Sequence, residues 1–343
     1  MKFDEIMQKI TAGLTGQPEH DLKYLIEQGD IYKTHVLSQE ITRAIGRLIY
    51  SVLPAEKRDD INRFVNNNNL GIEASLREAD YNINQKNFSL ALEILESVIN
   101  KIEEDGELAI FRDDSVNEYH NFHNPFEQAL FYVIYKPKKT IRDLPKFIDQ
   151  LYGMHGGLLF ELERFDEARL SLEKAIRINP INTQAIFELA EISKVREEWE
   201  KYFDLSKQAI RIAYTGESLS RCYRNIGYYF IEKKNYDVAI ALYFFSMIFD
   251  RKSTKAQSEL FYIQQITGNQ VQAPSPEQIY KLLEKHGIQY GPNEKVLHLA
   301  AELGKQCADE EEYEHARHFY SIIYDLTHDN EVKELIDSLP RTN

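Results

Sequence analysis

Apolar and small residues recur at helical spacing in two blocks between residues 149 and 182, and a short polar break at 163–166 separates the blocks. An amphipathic helix buries side chains three or four positions apart, so each block predicts one helix. Pro180 follows the second block, and proline ends a helix because it lacks a backbone N–H. The segment therefore predicts a helix–turn–helix hairpin.

Small residues stand where the two helices of this hairpin would approach most closely. Counted from Asp149 as position one, Gly156, Ala168 and Ala175 take positions 8, 20 and 27. Larger side chains at positions 4, 7, 11 and 24 would fill the space beside them. This spacing resembles the tetratricopeptide repeat, a hairpin of about 34 residues that stacks on its neighbours.

The same spacing returns elsewhere in the chain, so the resemblance covers about residues 72–330. Gly227 and Gly304 take position 8 in two of the further repeats, whereas Tyr202 replaces a small residue in another and should splay or shift its helices. An irregular helical pair is predicted at 254–287 and a C-terminal cap at 331–339. The repeats are predicted at about 72–105, 149–182, 183–216, 220–253 and 297–330.

Residues 106–148 interrupt the repeats with an aromatic-rich insertion that should pack on them. The pattern predicts a short extended piece at 107–112, a loop to Asn124, a helix over 125–135 with Asn124 as N-cap, and a connector over 136–144.

Residues 1–71 lack the repeat spacing and form a separate predicted domain before the repeat region at 72–343. Four short helices are predicted there, at about 3–12, 18–28, 38–53 and 54–65. A repeat array exposes an apolar face at its end, so this region is interpreted as a cap.

The resemblance implies an all-α fold, an α–α superhelix of the kind seen in bacterial tetratricopeptide-repeat proteins. It also implies a non-enzymatic scaffold that binds a protein or peptide on the concave face lined by the first helix of each repeat. The alternative is a peptide-responsive regulator with residues 1–71 as its effector region. The candidate groove residues are Phe160, Phe187, Lys194, Arg221, Arg224, Tyr228 and Lys305.

One known use of the family is a clamp for C-terminal carboxylates, and this sequence departs from it. Gly153 and Gly157 replace the basic and amide residues of the first repeat, and Glu188 replaces an asparagine in the second. Only Arg221 and Asn225 fit the third. An amphipathic helix or an extended acidic–aromatic peptide suits the mixed groove better.

The composition of the chain limits the classes of partner that it is expected to bind. The 343 residues carry a formal net charge of −14, which disfavours a nucleic-acid partner, and no apolar run is long enough to cross a membrane. Only two cysteines occur, so a reducing, cytoplasmic location is expected. Only 15 glycines and 10 prolines occur, as expected for helices joined by few turns.

Candidate chemistry is sparse, so no catalytic residue, cofactor or metal is predicted. The sequence has no phosphate-binding glycine loop. The pairs His120/His123 and His315/His318 have a spacing that could hold a metal, but a polar loop and a solvated helix face explain them more simply. Cys222 and Cys307 are interpreted as buried core residues. Trp199 and Tyr202 are interpreted as core, with an exposed aromatic anchor as the alternative.

Overall fold

A computed structural model describes residues 3–33, 35–52, 72–104, 113–144, 146–251 and 253–340. Over these ranges the chain is all-α apart from two four-residue strands, and most consecutive helices pack as neighbours. The predicted helix at 54–65 and the predicted extended piece at 107–112 lie outside the described residues. The elements are α1 Phe3–Ala12, α2 Pro18–Ile31, α3 Ser38–Val52, α4 Ile72–Asn84, α5 Phe88–Glu104, β1 Asn117–His120, α6 Pro125–Tyr135, β2 Thr140–Asp143, α7 Ile148–Glu161, α8 Phe165–Ile178, α9 Thr183–Val195, α10 Trp199–Ile212, α11 Gly216–Glu232, α12 Tyr236–Phe249, α13 Thr254–Thr267, α14 Pro276–Lys285, α15 Glu294–Asp309, α16 Tyr313–Thr327 and α17 Asn330–Ser338.

Two compact units divide the chain. The first comprises Met1–Arg112 with Leu144–Arg164, and the second comprises Asp113–Asp143 with Phe165–Asn343. The division falls between α7 and α8, inside the segment with the clearest repeat spacing. The proposed boundary at residue 71 is a boundary of sequence pattern and stays a prediction.

The first unit has a core shared by its N-terminal helices and α4. Ile6 and Ile10 of α1 pack with Ile41 of α3 and with Tyr81 of α4 in one buried cluster. Beside this cluster, Arg47 Nε lies 3.0 Å from the buried Glu78 Oε1, which pairs α3 with α4. Helices α1, α2 and α3 begin where the sequence predicts, and α3 packs directly on α4 as a capping element would.

The second unit stacks helix hairpins at small residues. At position 8 of its repeat, Gly227 on α11 is so close to α12 that a Cβ would lie 3.1 Å from the ring of Tyr243. Gly304 on α15 meets Tyr320 on α16 in the same way, at 2.7 Å. Both tyrosines stand at position 24 of their repeats. In these two hairpins, the small residue that the repeat spacing places at position 8 therefore lies where the two helices contact each other.

Residues 113–143 of the insertion belong to the second unit and contain strands that the sequence did not indicate. Helix α6 begins and ends as predicted, and Asn124 Oδ1 accepts a hydrogen bond from Glu127 N at 2.9 Å, which confirms the N-cap. The predicted loop and connector on either side of α6 instead contribute β1 and β2. These strands pair in parallel, with Asn117 opposite Thr140.

Glu127 joins the insertion to two other parts of the second unit. Its buried carboxylate accepts hydrogen bonds from Asn179 Nδ2 at 2.9 Å, Tyr214 Oη at 2.9 Å and His123 N at 3.0 Å. His123 Nδ1 lies 3.2 Å from the same carboxylate. Burial alone would raise the pKa of Glu127, but these hydrogen bonds and the imidazole hold the pKa below its ordinary value. Helix α6 also packs on α10 and α15.

The last repeat hairpin, α15 and α16, packs against α6, α11 and α12. Asp325 Oδ2 at the end of α16 accepts a hydrogen bond from Gly216 N at 2.6 Å, where α11 begins. His328 Nε2 lies 3.0 Å from Ile248 O on α12. A regular array would place this hairpin against the preceding pair, so this packing departs from simple stacking order. Helix α17 then covers α16.

A substitution at Gly216 tests the packing of α16 against α11 and α12. A Cβ at Gly216 would lie 2.9 Å from Phe249 O and 3.0 Å from Asp325 O, both backbone atoms that cannot rotate away. We expect Gly216→Ala to lower the free energy of unfolding by about 1–3 kcal/mol through overpacking. The matched control is Gly153→Ala, where a Cβ meets nothing within 4 Å and the helix should gain up to about 1 kcal/mol. Denaturant unfolding measures both, and equal effects would contradict the close approach.

Glu127 gives a pH-dependent prediction. Because its pKa is depressed in the folded state, the stabilisation it supplies is complete above its ordinary pKa and is lost as the pH falls through the folded value. We expect Glu127→Gln to cost about 1–3 kcal/mol at pH 7. The difference from wild type should shrink in unfolding curves recorded at progressively more acidic pH. Glu334→Gln, at an exposed site on α17, should leave stability unchanged.

Candidate functional site

A pocket of about 370 Å³ opens on the second unit where α9, α11 and α13 contribute their side chains. These are the first helices of two predicted repeats and of the irregular pair, so the pocket lies on the face that the repeat resemblance assigns to binding. Two second helices, α10 and α12, supply its floor. We call it the groove pocket, and its lining residues are Glu191, Lys194, Tyr202, Arg221, Arg224, Asn225, Tyr228, Tyr243, Lys255 and Glu259.

Charged side chains of both signs line the groove pocket. Four of the ten residues are lysine or arginine and two are glutamate, in a chain whose formal net charge is −14. Lys194 Nζ lies 4.1 Å from the centroid of the Tyr228 ring, within the range of a cation–π contact. The guanidinium of Arg221 lies 4.5 Å from the Phe187 ring centroid. Aromatic rings thus fix the positions of two of the cations.

Acidic residues hold the two arginines without saturating them. Arg221 lies 3.6 Å from Glu188 Oε1 and 4.0 Å from Glu191 Oε1, and Arg224 lies 3.5 Å from Asp250 Oδ2. Charge-assisted hydrogen bonds are shorter, about 2.7–2.9 Å. Arg221 Nη1 also donates to Gln184 Oε1 at 3.4 Å, and Arg224 Nη1 donates to Ser220 Oγ at 2.5 Å. A guanidinium carries five N–H donors, so neither set of contacts uses every donor.

The floor of the groove pocket is a set of buried polar side chains. Tyr202 and Tyr243 are each 1% exposed and Asn225 is 7% exposed. Asn225 Nδ2 and Tyr243 Oη are buried, and neither has a hydrogen-bond partner among the described residues. Buried polar groups in proteins are nearly always paired, so two unpaired donors in one pocket mark it as unusual.

Four of the seven candidate groove residues from the sequence line this pocket: Lys194, Arg221, Arg224 and Tyr228. Phe187 requires a correction, because it is 2% exposed and supports the Arg221 guanidinium from below without lining the pocket. Lys305 is exposed on α15, where its Nζ lies 3.0 Å from Asp309 Oδ2, away from this pocket. Phe160 is half-buried on α7 of the first unit.

Of the remaining pocket residues, Glu191 stands at position 9 of its repeat, a groove position of the family, and Asn225 fits the carboxylate-clamp position named above. The other four were not predicted as groove residues, and their signals differ. When Thr254 is counted as position one, Lys255 takes position 2, which is a groove position, so the repeat count carried through the irregular pair would have found it. Glu259 takes position 6, which is not a groove position, and the count would have missed it. Tyr202 was read as a core residue, and its burial confirms that reading. Tyr243 stands at a core position too, and only the structure shows that it also reaches the pocket. Trp199, in contrast, is half-buried, with its ring 6.1 Å from that of Tyr228.

Burial shifts the titration of several pocket groups. Partial burial raises the pKa of Glu259, and the nearby Lys194 opposes that shift. Burial, together with Glu232, raises the pKa of Tyr228 to about 12. Burial also raises the pKa of Tyr243, so its hydroxyl stays protonated at neutral pH and can donate a hydrogen bond. Burial lowers the pKa of the Arg224 guanidinium, and the neighbouring Asp250 opposes that shift.

Two other cavities are less suited to a ligand. One of about 460 Å³ includes Tyr135 and Lys207, but Tyr135 Oη donates to Pro180 O at 3.2 Å and Lys207 pairs with Asp204 at 3.1 Å. A cavity of about 330 Å³ in the first unit lies beside the Arg47–Glu78 pair. In both, prominent polar groups are already bound within the chain.

The histidine and cysteine candidates have structural surroundings. The ring of His120 packs 4.7 Å from that of Phe131, and its Nδ1 lies 3.1 Å from Ile178 O. His315 lies beside Glu312 on an exposed helix face. Cys222 is buried as predicted, but Cys307 is only half-buried, which corrects its assignment to the core. No group of three or more metal-binding side chains occurs in the part of the chain that the structure describes.

Comparison with known proteins supports the repeat assignment. A family model described as a tetratricopeptide repeat matches residues 149–182, a range that covers most of α7 and all of α8. No curated protein matches the chain. The chain is therefore a protein that contains a tetratricopeptide repeat within an all-α fold. None of the described helices combines the length and apolar character needed to cross a membrane.

Proposed function

We propose that this chain is a non-enzymatic binding protein that holds a peptide, or an exposed segment of a partner protein, in the groove pocket. Tetratricopeptide repeats generally mediate protein interactions, and the pocket lies on the first helices of successive hairpins. The proposal is a cytoplasmic scaffold rather than an enzyme. The cations, the tyrosines and the Asn225 amide of the lining are suited to binding a peptide. They are not residue types that usually act together as a catalytic nucleophile and its base.

The observation that carries this proposal is the convergence of α9, α11 and α13 on one pocket with fixed cations. The Lys194 ammonium lies over the Tyr228 ring, and the Arg221 guanidinium lies over the buried Phe187 ring. Side chains that are ordered before binding lose less entropy when the ligand arrives. Arginine and tyrosine also carry a large share of the binding energy in protein interfaces.

The size of the pocket supports a side chain with its flanking backbone as the ligand. A volume of about 370 Å³ lies at the lower end of ligand pockets in general. A long folded surface would need a broad contact, whereas a peptide can insert one anchor here and lie along the exposed parts of the first helices. Exposed Val195 on α9 and Tyr262 on α13 extend the surface beyond the pocket.

The alternative of a peptide-responsive regulator, with residues 1–71 as the effector region, stays a prediction. Helices α1 to α3 share a buried core with α4, an arrangement that also serves a cap. Removing them would expose Tyr81 and leave the buried Glu78 without Arg47. An effector role therefore needs a test on the full chain.

Arg221 and Lys305 provide a direct test of the proposed site. Peptides that bind the purified full chain can be selected from a displayed random library and their affinities measured by fluorescence anisotropy. We expect Arg221→Ala to weaken binding at least tenfold, about 1.4 kcal/mol, because it removes a cation fixed at the pocket. Lys305→Ala, the matched loss of an exposed cation on a first helix outside the pocket, should change the affinity less than twofold.

The same two variants define the contrary result. Equal affinities for wild type and Arg221→Ala, or a larger loss for Lys305→Ala, would move the binding site away from the groove pocket. Circular dichroism and thermal unfolding of both variants exclude misfolding as the cause, since neither side chain is buried.

A further inference from the structure

We propose that two copies of this chain associate through the outward side of α13, around a twofold axis. We call this surface the α13 face, and it consists of Ser258, Phe261, Tyr262 and Gln265. The proposal does not depend on the proposed function, because Phe261, its central apolar side chain, is not among the residues that line the groove pocket.

The first argument is that α13 lacks the neighbour that a hairpin would supply. In a repeat hairpin the second helix packs on the first, as α12 packs on α11 and α16 packs on α15. Helix α14 follows α13 in the chain but packs on α12. Among the described helices, α12 is also the one that makes extensive contact with α13. One side of α13 is therefore left without a packed helix.

The α13 face carries a large exposed ring at its centre. Phe261 is 61% exposed, and the neighbouring Tyr262 is exposed too. The members of the face follow one another at intervals of three, four and seven positions, so they lie on one side of the helix. Residues at this spacing form the seam when two helices pack side by side. The buried residues of α13 lie on the opposite side: Ala256, Leu260 and Ile263.

The second argument concerns charge, which indicates the kind of partner that the face suits. Residues 260–276 contain no aspartate, glutamate, lysine, arginine or histidine, although 28% of the residues in the chain are charged. The two charged residues of α13, Lys255 and Glu259, line the groove pocket instead. Depletion of charged residues is typical of the centre of protein interfaces. The face therefore gives no advantage to a strongly acidic or basic partner.

The third argument is that the α13 face is complementary to itself. A twofold interface joins the same patch on both subunits, so the patch must be able to pair with its own copy. The Gln265 amide and the Ser258 hydroxyl both donate and accept hydrogen bonds, and aromatic rings such as that of Phe261 pack on one another. Two chains that each carry a net charge of −14 can thus meet at this face without placing like charges opposite each other.

The length of α13 limits the strength of this association. A helix of 14 residues is about 21 Å long, so a pair of such helices buries less than the ~1,600 Å² of a standard protein interface. We therefore expect a reversible dimer with a dissociation constant of roughly 10–100 µM.

Phe261→Glu and Leu170→Glu test the location of the interface. Sedimentation velocity of the full chain from about 1 to 300 µM measures the fractions of monomer and dimer. We expect wild type to dimerise over this range and Phe261→Glu to raise the dissociation constant at least tenfold, because dimerisation would bury the new charge. Leu170, 63% exposed on α8, gives the matched control, and Leu170→Glu should change the constant less than twofold. Circular dichroism of both variants excludes misfolding.

A mixture of Phe261→Glu and Phe261→Lys tests the twofold arrangement. Phe261 stands next to the midpoint of α13, so the two copies of this side chain would lie close together in an antiparallel helix pair. We expect each variant alone to stay largely monomeric and the equimolar mixture to dimerise, because opposite charges then meet. A mixture that stays monomeric would overturn the twofold pairing, since Phe261 would then contact a different surface of the second copy.

The effect of salt distinguishes this neutral face from an interface of ion pairs. Added salt screens the repulsion between two acidic chains, so we expect dimerisation to strengthen between about 20 and 200 mM NaCl. Dissociation on addition of salt would contradict the assignment. A wild-type chain that remains monomeric at about 300 µM, or a Phe261→Glu variant that dimerises like wild type, would overturn the proposal that a second copy covers the α13 face.

Discussion

The contact between Gly227 and Tyr243 connects the repeat fold to the groove pocket. A Cβ on Gly227 would lie 3.1 Å from the tyrosine ring, so only glycine leaves the ring room to lie this close to α11. The ring fills the space between α11 and α12, and its hydroxyl ends on the pocket floor. Gly304 and Tyr320 repeat the contact between α15 and α16, and Tyr320 is not among the residues that line the groove pocket. The glycine–tyrosine contact thus occurs in both repeats, whereas of the two tyrosines only Tyr243 lines the groove pocket.

Much of the fold follows from spacing along the chain, because each hairpin is local. Small residues at position 8 and helix signals such as Asn124 before Pro125 act over a few residues, and the helix boundaries matched them closely. The strands β1 and β2 escaped prediction because their parallel pairing joins residues about twenty positions apart around α6. The docking of α16 on α11 and α12 escaped for the same reason, since Gly216 and Asp325 are distant in sequence.

The pocket itself was predictable in part. Repeat positions on the first helices identified Lys194, Arg221, Arg224 and Tyr228, because the family's binding face depends only on position. They could not identify Phe187 as buried, since the same face also turns toward the next helix. Nor could they show that Asn225 Nδ2 and Tyr243 Oη find no hydrogen-bond partner among the described residues, because pairing depends on side chains from other helices. Periodicity locates a surface, and three-dimensional packing decides which polar atoms remain available on it.

The net charge of the chain has to be considered together with the charged side chains at the groove pocket. A net charge of −14 would repel an acidic ligand over long distances, yet salt at physiological concentration screens such fields beyond roughly 8 Å. At the pocket, Lys194 and Arg221 are fixed on aromatic rings and Arg224 is nine-tenths buried beside Asp250. Under the proposed function, long-range attraction contributes little to binding, and selectivity depends on short-range contacts with these ordered side chains.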